Sequence, residues 1–264
     1  METHTSWCCF GPWINVIAED KALSFSKFIP AAATLIAAFL GAWFAFRLQK
    51  QEKEHKIKAD NITAGNYAIF TLMWQFSTLD NICKQIIDPV RTHPLKFIVM
   101  RAILPAIEYK DFKFDISSLS FFLKPQNSLK LQITLRQTLA ELFIEYRKFQ
   151  TAISAFNIRT EFLLQQARPL LDKAKIRSYR DTPGQMQVGE EILSLPQDMR
   201  KAFSCIETAL GNLGYQRLLQ STDEVIKLVD DTKSSLFIMR DKLVAALKQL
   251  FPKNTREIVS FEPE

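Results

Sequence analysis

The sequence predicts an all-α protein in which one N-terminal transmembrane helix continues into a cytoplasmic bundle of long antiparallel helices. First, residues 28–46 contain no charged side chain. Second, the chain has only 7 glycines in 264 residues, whereas sheets of short strands require frequent turn residues. Third, apolar residues recur at alternating spacings of three and four, the pattern of helices with one apolar face.

Residues 28–46 are the predicted transmembrane helix. At about 1.5 Å per residue they would rise roughly 28 Å, close to the thickness of the hydrocarbon core of a bilayer. A cleaved signal peptide is the alternative, but this stretch is long, begins late and is not followed by a convincing cleavage site. The lipid bilayer is therefore the first predicted partner.

The charges on either side of this stretch predict its orientation. The preceding residues contain two basic side chains, Lys21 and Lys27. Five juxtamembrane basic residues follow it: Arg47, Lys50, Lys53, Lys56 and Lys58. Because basic residues beside a membrane helix stay preferentially on the cytoplasmic side, we expect the N-terminus outside and the C-terminal domain in the cytoplasm.

Residues 1–27 are a predicted external segment. Positions 7–18 are nearly apolar and contain two tryptophans, which favour the membrane interface. They are too few to cross a bilayer, and a partial second membrane segment stays an open alternative. Cys8 and Cys9 are a redox pair, a lipidation site or simply small apolar residues. We favour the last interpretation because adjacent cysteines form only a strained disulfide.

Small residues recur every fourth position along the predicted membrane helix: Ala33, Ala37, Gly41 and Ala45. Such a stripe lets two helix backbones approach closely in lipid, so it predicts self-association. The general abundance of alanine in membrane helices explains the same pattern without association.

Residues 47–181 are the predicted stalk and long helical hairpin. One apolar stripe covers 69–90, and another runs along a helix over 128–175. Antiparallel packing of these two helices, capped by the irregular segment 90–126, would return the end of the second helix to the membrane.

Within the irregular segment, the sequence predicts two short helices, 97–104 and 116–123, and a loop at 109–114. Asp115 is the expected cap of the second short helix. His93 lies beside a proline, which indicates a turn residue and not a base or a ligand.

A basic cluster lies near the end of the hairpin: Arg168, Lys173, Lys175, Arg177 and Arg180. In the predicted geometry it would meet lipid head groups, which bind such clusters at about 1 kcal/mol per basic residue. A solvated loop is the favoured alternative. A nucleic-acid surface is the least favoured, although the net charge is +6, because only Tyr179 offers a stacking surface nearby.

The chain after residue 181 has three predicted parts. A linker loop, 182–196, opens with the helix-breaking sequence Thr-Pro-Gly. A C-terminal helical pair, 197–252, follows, and its first helix is expected to end around 211–214. Ser221 with Glu224 forms a capping box for the second helix, which carries an apolar stripe over 225–250. The last residues, 253–264, are an acidic tail that we expect to be flexible.

The sequence contains no recognisable motif for catalysis, for cofactor binding or for metal binding. Its 3 histidines and 4 cysteines form neither a Glu-x-x-His nor a Cys-x-x-Cys pattern, and no glycine-rich phosphate loop occurs. Asp230 and Asp231 are adjacent, and neighbours in sequence do not face one another on a helix. We expect no enzyme, cofactor or metal, but a catalytic site assembled only by folding would escape this search.

Residues 41–49, Gly-Ala-Trp-Phe-Ala-Phe-Arg-Leu-Gln, precede the charged stalk and residues 64–72, Ala-Gly-Asn-Tyr-Ala-Ile-Phe-Thr-Leu. This order resembles uncharacterised bacterial single-pass membrane proteins with a cytoplasmic helical domain. Proteins of this type include membrane effectors of anti-phage systems, some encoded beside retrons, whose activation impairs the host membrane. The resemblance covers a small part of the chain and implies a location in the inner membrane, but no site residue.

Two classes of function follow from these observations. The first is a membrane-anchored helical interaction or effector protein that binds a cytoplasmic protein partner or a second copy and acts at the inner membrane, in the defence version by oligomerising. The second is a membrane-tethered enzyme whose site forms only in the fold, or an accessory subunit of a membrane complex.

Overall fold

The computed structural model describes residues 11–101, 116–126, 128–179, 181–182 and 184–260, with side chains from residue 32 onward. The chain divides into two compact units, Met1–Asp60 and Asn61–Glu264. As predicted, it is mostly helical.

The described residues form five α-helices: α1 Gly11–Ile82, α2 Lys96–Val99, α3 Leu129–Phe162, α4 Arg168–Lys173 and α5 Met199–Leu250. Three short strands lie between α4 and α5: β1 Ile176–Ser178, β2 Gln185–Val188 and β3 Glu191–Ser194. Single turns of π-helix extend α1 and α3, at Cys83–Ile87 and Leu163–Ala167, and 3₁₀ turns occupy Asp88–Val90, Ile116–Leu123 and Pro252–Asn254.

The predicted apolar stripes are the helix faces that form the main core of the second unit. Positions at the alternating three and four spacing are buried in α1, α3 and α5 alike, among them Ile69, Leu72, Leu79, Leu135, Leu142, Phe149, Phe156, Val225, Val229, Leu236 and Leu243. Each buried aliphatic or aromatic side chain contributes about 1.5–3 kcal/mol relative to exposure, so these stripes supply most of the driving force for packing.

Within the second unit, α5 runs antiparallel to α1. Arg240 donates a hydrogen bond to the sulfur of Met73 at 3.6 Å, and the ammonium of Lys233 lies 3.2 Å from Asp80. The residue number of the α5 partner falls from 240 to 233 as the residue number in α1 rises from 73 to 80, as expected for antiparallel helices.

The same relation holds between α5 and α3, and it overturns the predicted hairpin. Lys242 forms an ion pair with Glu141 at 2.8 Å, whereas Arg159, later in α3, donates to Thr222, earlier in α5. Because α5 is antiparallel to both, α1 and α3 are parallel and not antiparallel. An apolar stripe determines which face of a helix packs but not the direction of its partner, which explains the wrong prediction.

The segment between α1 and α3 therefore passes from one end of the second unit to the other. The ring of Phe97 lies 5.7 Å from Tyr215, near the start of α5, whereas Phe121 lies 6.0 Å from Phe251 at the end of α5. The first short helix ends earlier than predicted, at Val99, and the second is a 3₁₀ turn. The predicted cap Asp115 and the loop 109–114 lie outside the described residues.

A three-stranded antiparallel sheet occupies much of the predicted linker loop. Its strand order is β1-β2-β3, and a two-residue turn at Gly189 joins the last two strands, with Gly189 at φ 62°. Ile176, Met186 and Leu193 are buried on one face, in a second core that α5 completes. The alternation of polar and apolar residues around a Gly-containing turn was the signal for these strands.

The C-terminal helical pair breaks at Gly211, within the predicted range 211–214, but its second helix does not begin at the predicted cap. Gly211 takes φ 70° and ψ 156° within α5, a conformation that is open almost only to glycine. Ser221, the predicted cap, instead lies inside the helix and donates to the carbonyl of Leu218 at 3.2 Å.

Residues of the predicted flexible tail are docked onto α1. The amide of Asn66 donates to the carbonyl of Glu257 at 2.8 Å and accepts from the backbone N–H of Val259 at 3.0 Å, while Ile258 is buried. Residues 257–259 of the tail are therefore anchored.

Gly65 provides a test of the close approach between α1 and α5. A Cβ atom at this position would lie 2.7 Å from both terminal methyl groups of Leu247, which is fully buried. We expect Gly65→Ala to lower the free energy of unfolding by about 1 kcal/mol, because overpacking outweighs the gain in helix propensity.

Gly214→Ala is the matched control. Its Cβ would meet Leu210 at an ordinary 3.5 Å, so we expect a gain of about 0.5–1 kcal/mol from helix propensity alone. Denaturant unfolding of the full chain followed by circular dichroism measures both variants. Equal stabilisation by Gly65→Ala and Gly214→Ala would show that the Leu247 side chain moves aside at no cost.

Candidate functional site

The first candidate site is the apolar part of α1 in the first unit, residues 32–46. Every side chain in this range is exposed, with Leu35 at 72% and Phe39 at 71%. Within the described part of the chain, α1 is the one helix long and apolar enough to cross a membrane. Water-exposed surfaces rarely carry an apolar patch of this length, so another apolar phase or partner is required.

The predicted association stripe lies on this exposed segment. Its members Ala33, Ala37, Gly41 and Ala45 are all exposed, and a Cβ added at Gly41 would meet nothing within 4 Å. Among the described residues, therefore, the stripe is an open face of the first unit.

The juxtamembrane basic residues begin directly after the apolar segment. Arg47, Lys50, Lys53 and Lys56 are exposed, and Lys58 is half-buried. The guanidinium of Arg47 lies 5.3 Å from the ring centroid of Trp43, which itself packs edge to face on Phe44. A tryptophan beside an arginine at the end of an apolar helix is typical of the membrane interface.

In the second unit, an ionic cluster joins the end of α1 to α5. Arg91 binds Asp230 at 2.7 Å and Asp88 at 3.0 Å, and its hydrogen bonds lower the pKa of Asp230. The thiol of Cys83 donates to Asp230 at 3.6 Å, and burial raises its pKa to about 11. Cys83 therefore stays a neutral thiol at pH 7. Asp230 connects α5 to the end of α1 and does not form an acid–base pair with Asp231.

A buried arginine, Arg159, holds α2 against α3 and α5. It is fully buried and donates to the hydroxyl of Thr222 at 3.2 Å and to the carbonyls of Met100 at 3.2 Å and Phe97 at 3.0 Å. Burial lowers its pKa to about 10, so it remains charged at neutral pH. These hydrogen-bond acceptors are neutral oxygens at the end of α2 and on α5, which gives the arginine a structural role that the sequence did not reveal.

His93 is a turn residue as predicted, but it is also buried. Its Nδ1 accepts a hydrogen bond from the backbone N–H of Leu95 at 2.9 Å, which requires the neutral ring. Burial lowers the pKa of His93 below its ordinary value of 6.5.

This neutral histidine predicts a loss of stability in mild acid. The pKa of His93 is lower in the folded state than in the unfolded state, so the stabilisation that the neutral ring provides is complete above pH 6.5. As the pH falls below 6.5, the free energy of unfolding decreases by at most about 1.4 kcal/mol per pH unit. In His93→Asn the amide oxygen can still accept from Leu95, and the stability change between pH 6.5 and 5 should shrink. Urea unfolding at several pH values measures it, and an identical slope in both proteins would contradict the assignment.

The second candidate site is a pocket of about 580 Å³ between α4, the sheet and the first turns of α5. Lys173 of the predicted basic cluster lines it, with Ser204, Cys205 and Thr208 from α5. The spacing of these three residues places them on one helix face, which is the signal that the sequence offered.

The other residues of the basic cluster lie before and after Lys173 in the sequence. Arg168, Lys175 and Arg177 are exposed, and Arg180 lies outside the described residues. The cluster lies at the end of the second unit where α3 terminates, opposite the end where Asn61 enters. The parallel arrangement of α1 and α3 thus removes the reason for placing it at the lipid head groups.

The sequence matches no protein-family model and no curated protein, and the structure matches no solved structure. Among the described residues, no group of three or more histidine, cysteine, aspartate or glutamate side chains is placed to hold a metal ion.

Proposed function

We propose that this chain is a membrane-anchored helical interaction protein. Residues 28–46 cross the bacterial inner membrane, and the second unit binds a partner protein in the cytoplasm. The observation that carries the proposal is that every apolar side chain from 32 to 46 is exposed. Lipid would remove this surface from water at about 25 cal/mol per Å² of apolar area.

The charge distribution supports the proposed orientation, with the N-terminus outside. Basic residues dominate directly after the apolar segment, and Arg47 with Trp43 has the composition of a cytoplasmic membrane interface. A C-terminal green fluorescent protein fusion should therefore fluoresce, and an N-terminal alkaline phosphatase fusion should be active. The reverse pair of signals would overturn the orientation.

An exposed apolar face of α3 supports the proposed binding of a protein partner. Phe143 is 47% exposed and Ile144 is 51% exposed, beside a groove of about 460 Å³ that Leu228 of α5 also lines. Arg147 stacks on Phe143, with its guanidinium 5.4 Å from the ring centroid. Exposed aromatic and arginine side chains beside a groove are typical of protein interfaces.

The proposal includes action at the membrane by self-association through the small-residue stripe. This is the version of the function in anti-phage defence. Its support is the stripe together with the resemblance of residues 41–49 and 64–72 to bacterial single-pass membrane proteins, a type that includes membrane effectors. In that version, activation by the cytoplasmic partner brings copies together and impairs the membrane.

Ala37→Leu tests self-association, because a larger side chain keeps two backbones apart. We expect the cross-linked dimer of the full chain in membranes to fall about tenfold, the equivalent of 1–2 kcal/mol. Toxicity on overexpression should fall with it.

Ala42→Leu is the control, since this position points about 120° away from the centre of the stripe. It should leave cross-linking and toxicity unchanged. Equal cross-linking in the wild type and both variants would retire self-association, and the fusion reporters would still test the membrane anchor separately.

A further inference from the structure

The pocket beside α4 combines an apolar lining with one cationic edge. Its apolar lining is entirely aliphatic. It includes Leu170 of α4 and Ala174 directly after it, Ile176 and Val188 from the sheet, and Ala209 from α5. At about 580 Å³ it lies within the size range of pockets that bind small molecules. An aliphatic lining without an aromatic ring favours an alkyl chain over a stacked ring system.

The polar groups of the pocket favour an anion. Lys173 is exposed, and the hydroxyl of Thr208 already donates to the carbonyl of Ser204 at 2.7 Å, so it can only accept from a ligand. Lys173 is then the main donor available to an anionic head group, with the Ser204 hydroxyl beside it.

The surrounding charges reinforce this preference. Asp172 is paired with Arg168 at 3.6 Å, and Lys201 is paired with Glu191. Lys173 adds a positive charge that these local pairs do not cancel, and further positive charges follow it in the cluster. Lys173 therefore places a positive charge at this edge of the pocket, which favours ligands of the opposite charge.

We propose that this pocket binds an aliphatic anion, a single alkyl chain that ends in a carboxylate or a phosphate monoester. The chain lies against Leu170, Ile176 and Val188, and the head group meets Lys173. The proposal does not depend on the proposed function.

Cys205 provides a native reporter of occupancy, because it lines the pocket and is partly exposed. Alkylation by N-ethylmaleimide, followed cysteine by cysteine with mass spectrometry, should be slowed by a bound ligand. Cys83 is fully buried and serves as the internal control for unfolding. The full chain in phosphatidylcholine nanodiscs is the sample.

Five probe compounds separate the contributions of the alkyl chain, the charge and the head group. Laurate and dodecyl phosphate, below their micellar concentrations, should slow the alkylation of Cys205 at least fivefold. Dodecyltrimethylammonium, which has the same chain and the opposite charge, should not, and neither should acetate with inorganic phosphate. Equal protection by the cation, protection by the short anions alone, or no protection by any probe would overturn the proposal.

Variants locate the binding. Lys173→Glu should abolish the protection of Cys205 by laurate. Arg177→Glu makes the same charge change outside the pocket and should retain at least half of that protection. Ala174→Trp, at an exposed position on the rim, should block the pocket without disturbing the core. Protection that survives both Lys173→Glu and Ala174→Trp, or that is lost equally in Arg177→Glu, would place the ligand elsewhere.

Discussion

Replacing Phe39 and Leu40 together with arginine is expected to release the protein from the membrane fraction. Both side chains are exposed and lie near the middle of the apolar segment, where each arginine costs about 2.5–3.5 kcal/mol on insertion. The total of about 5–7 kcal/mol is too large for one helix of this composition to absorb. Neither position is close enough to an end of the segment for its arginine to reach the interface easily.

Alkaline carbonate extraction followed by flotation measures the effect. The wild type should float with the lipid, and the double variant should remain soluble or aggregate. Leu48→Arg is the matched control because it lies just beyond Arg47, where an added positive charge is compatible with the interface. A double variant that floats like the wild type would show that residues 28–46 are not the anchor.

The second large effect is expected at Arg159. Truncation to alanine leaves the carbonyls of Phe97 and Met100 without their donor and opens a cavity, which together should cost about 3–5 kcal/mol of unfolding free energy. Arg159→Glu should prevent folding of the second unit, because an acid would face two carbonyl oxygens in a buried position.

Arg159→Met separates packing from hydrogen bonding. It fills most of the volume and removes the buried charge, so its cost should be lower than that of alanine, about 1–3 kcal/mol for the two carbonyls that lose their donor. Denaturant unfolding of the three variants gives the order Met, Ala, Glu of increasing damage. An alanine variant as stable as the wild type would mean that the guanidinium contributes no net stability.

The sequence was sufficient to predict the helices and their packed faces, since helical spacing is a local property. Ile69, Leu142 and Val229 each lie at a predicted position and each is buried. Helix direction depends on contacts between distant segments, which no local spacing records, and the parallel relation of α1 and α3 was therefore missed.

The candidate sites also differ in how far they can be predicted from local sequence. The exposed apolar segment is visible in the sequence as an uninterrupted run of residues, and the structure adds that each of its described side chains is exposed. The pocket joins Lys173, Val188 and Cys205 from three separate elements, so only the tertiary structure brings it together. Arg159 was overlooked because a charged residue beside an apolar stripe is usually solvated.

The bond between Asn66 and Glu257 spans 191 residues of sequence, and it has a consequence for biosynthesis. The apolar face of α1 in the second unit leaves the ribosome long before its partner α5 has been translated. Contacts between residues so far apart in sequence form late in folding. Until they form, exposed hydrophobic surface can lead to aggregation. We therefore expect the nascent chain to depend on a chaperone, and chains that terminate before α5 to be degraded.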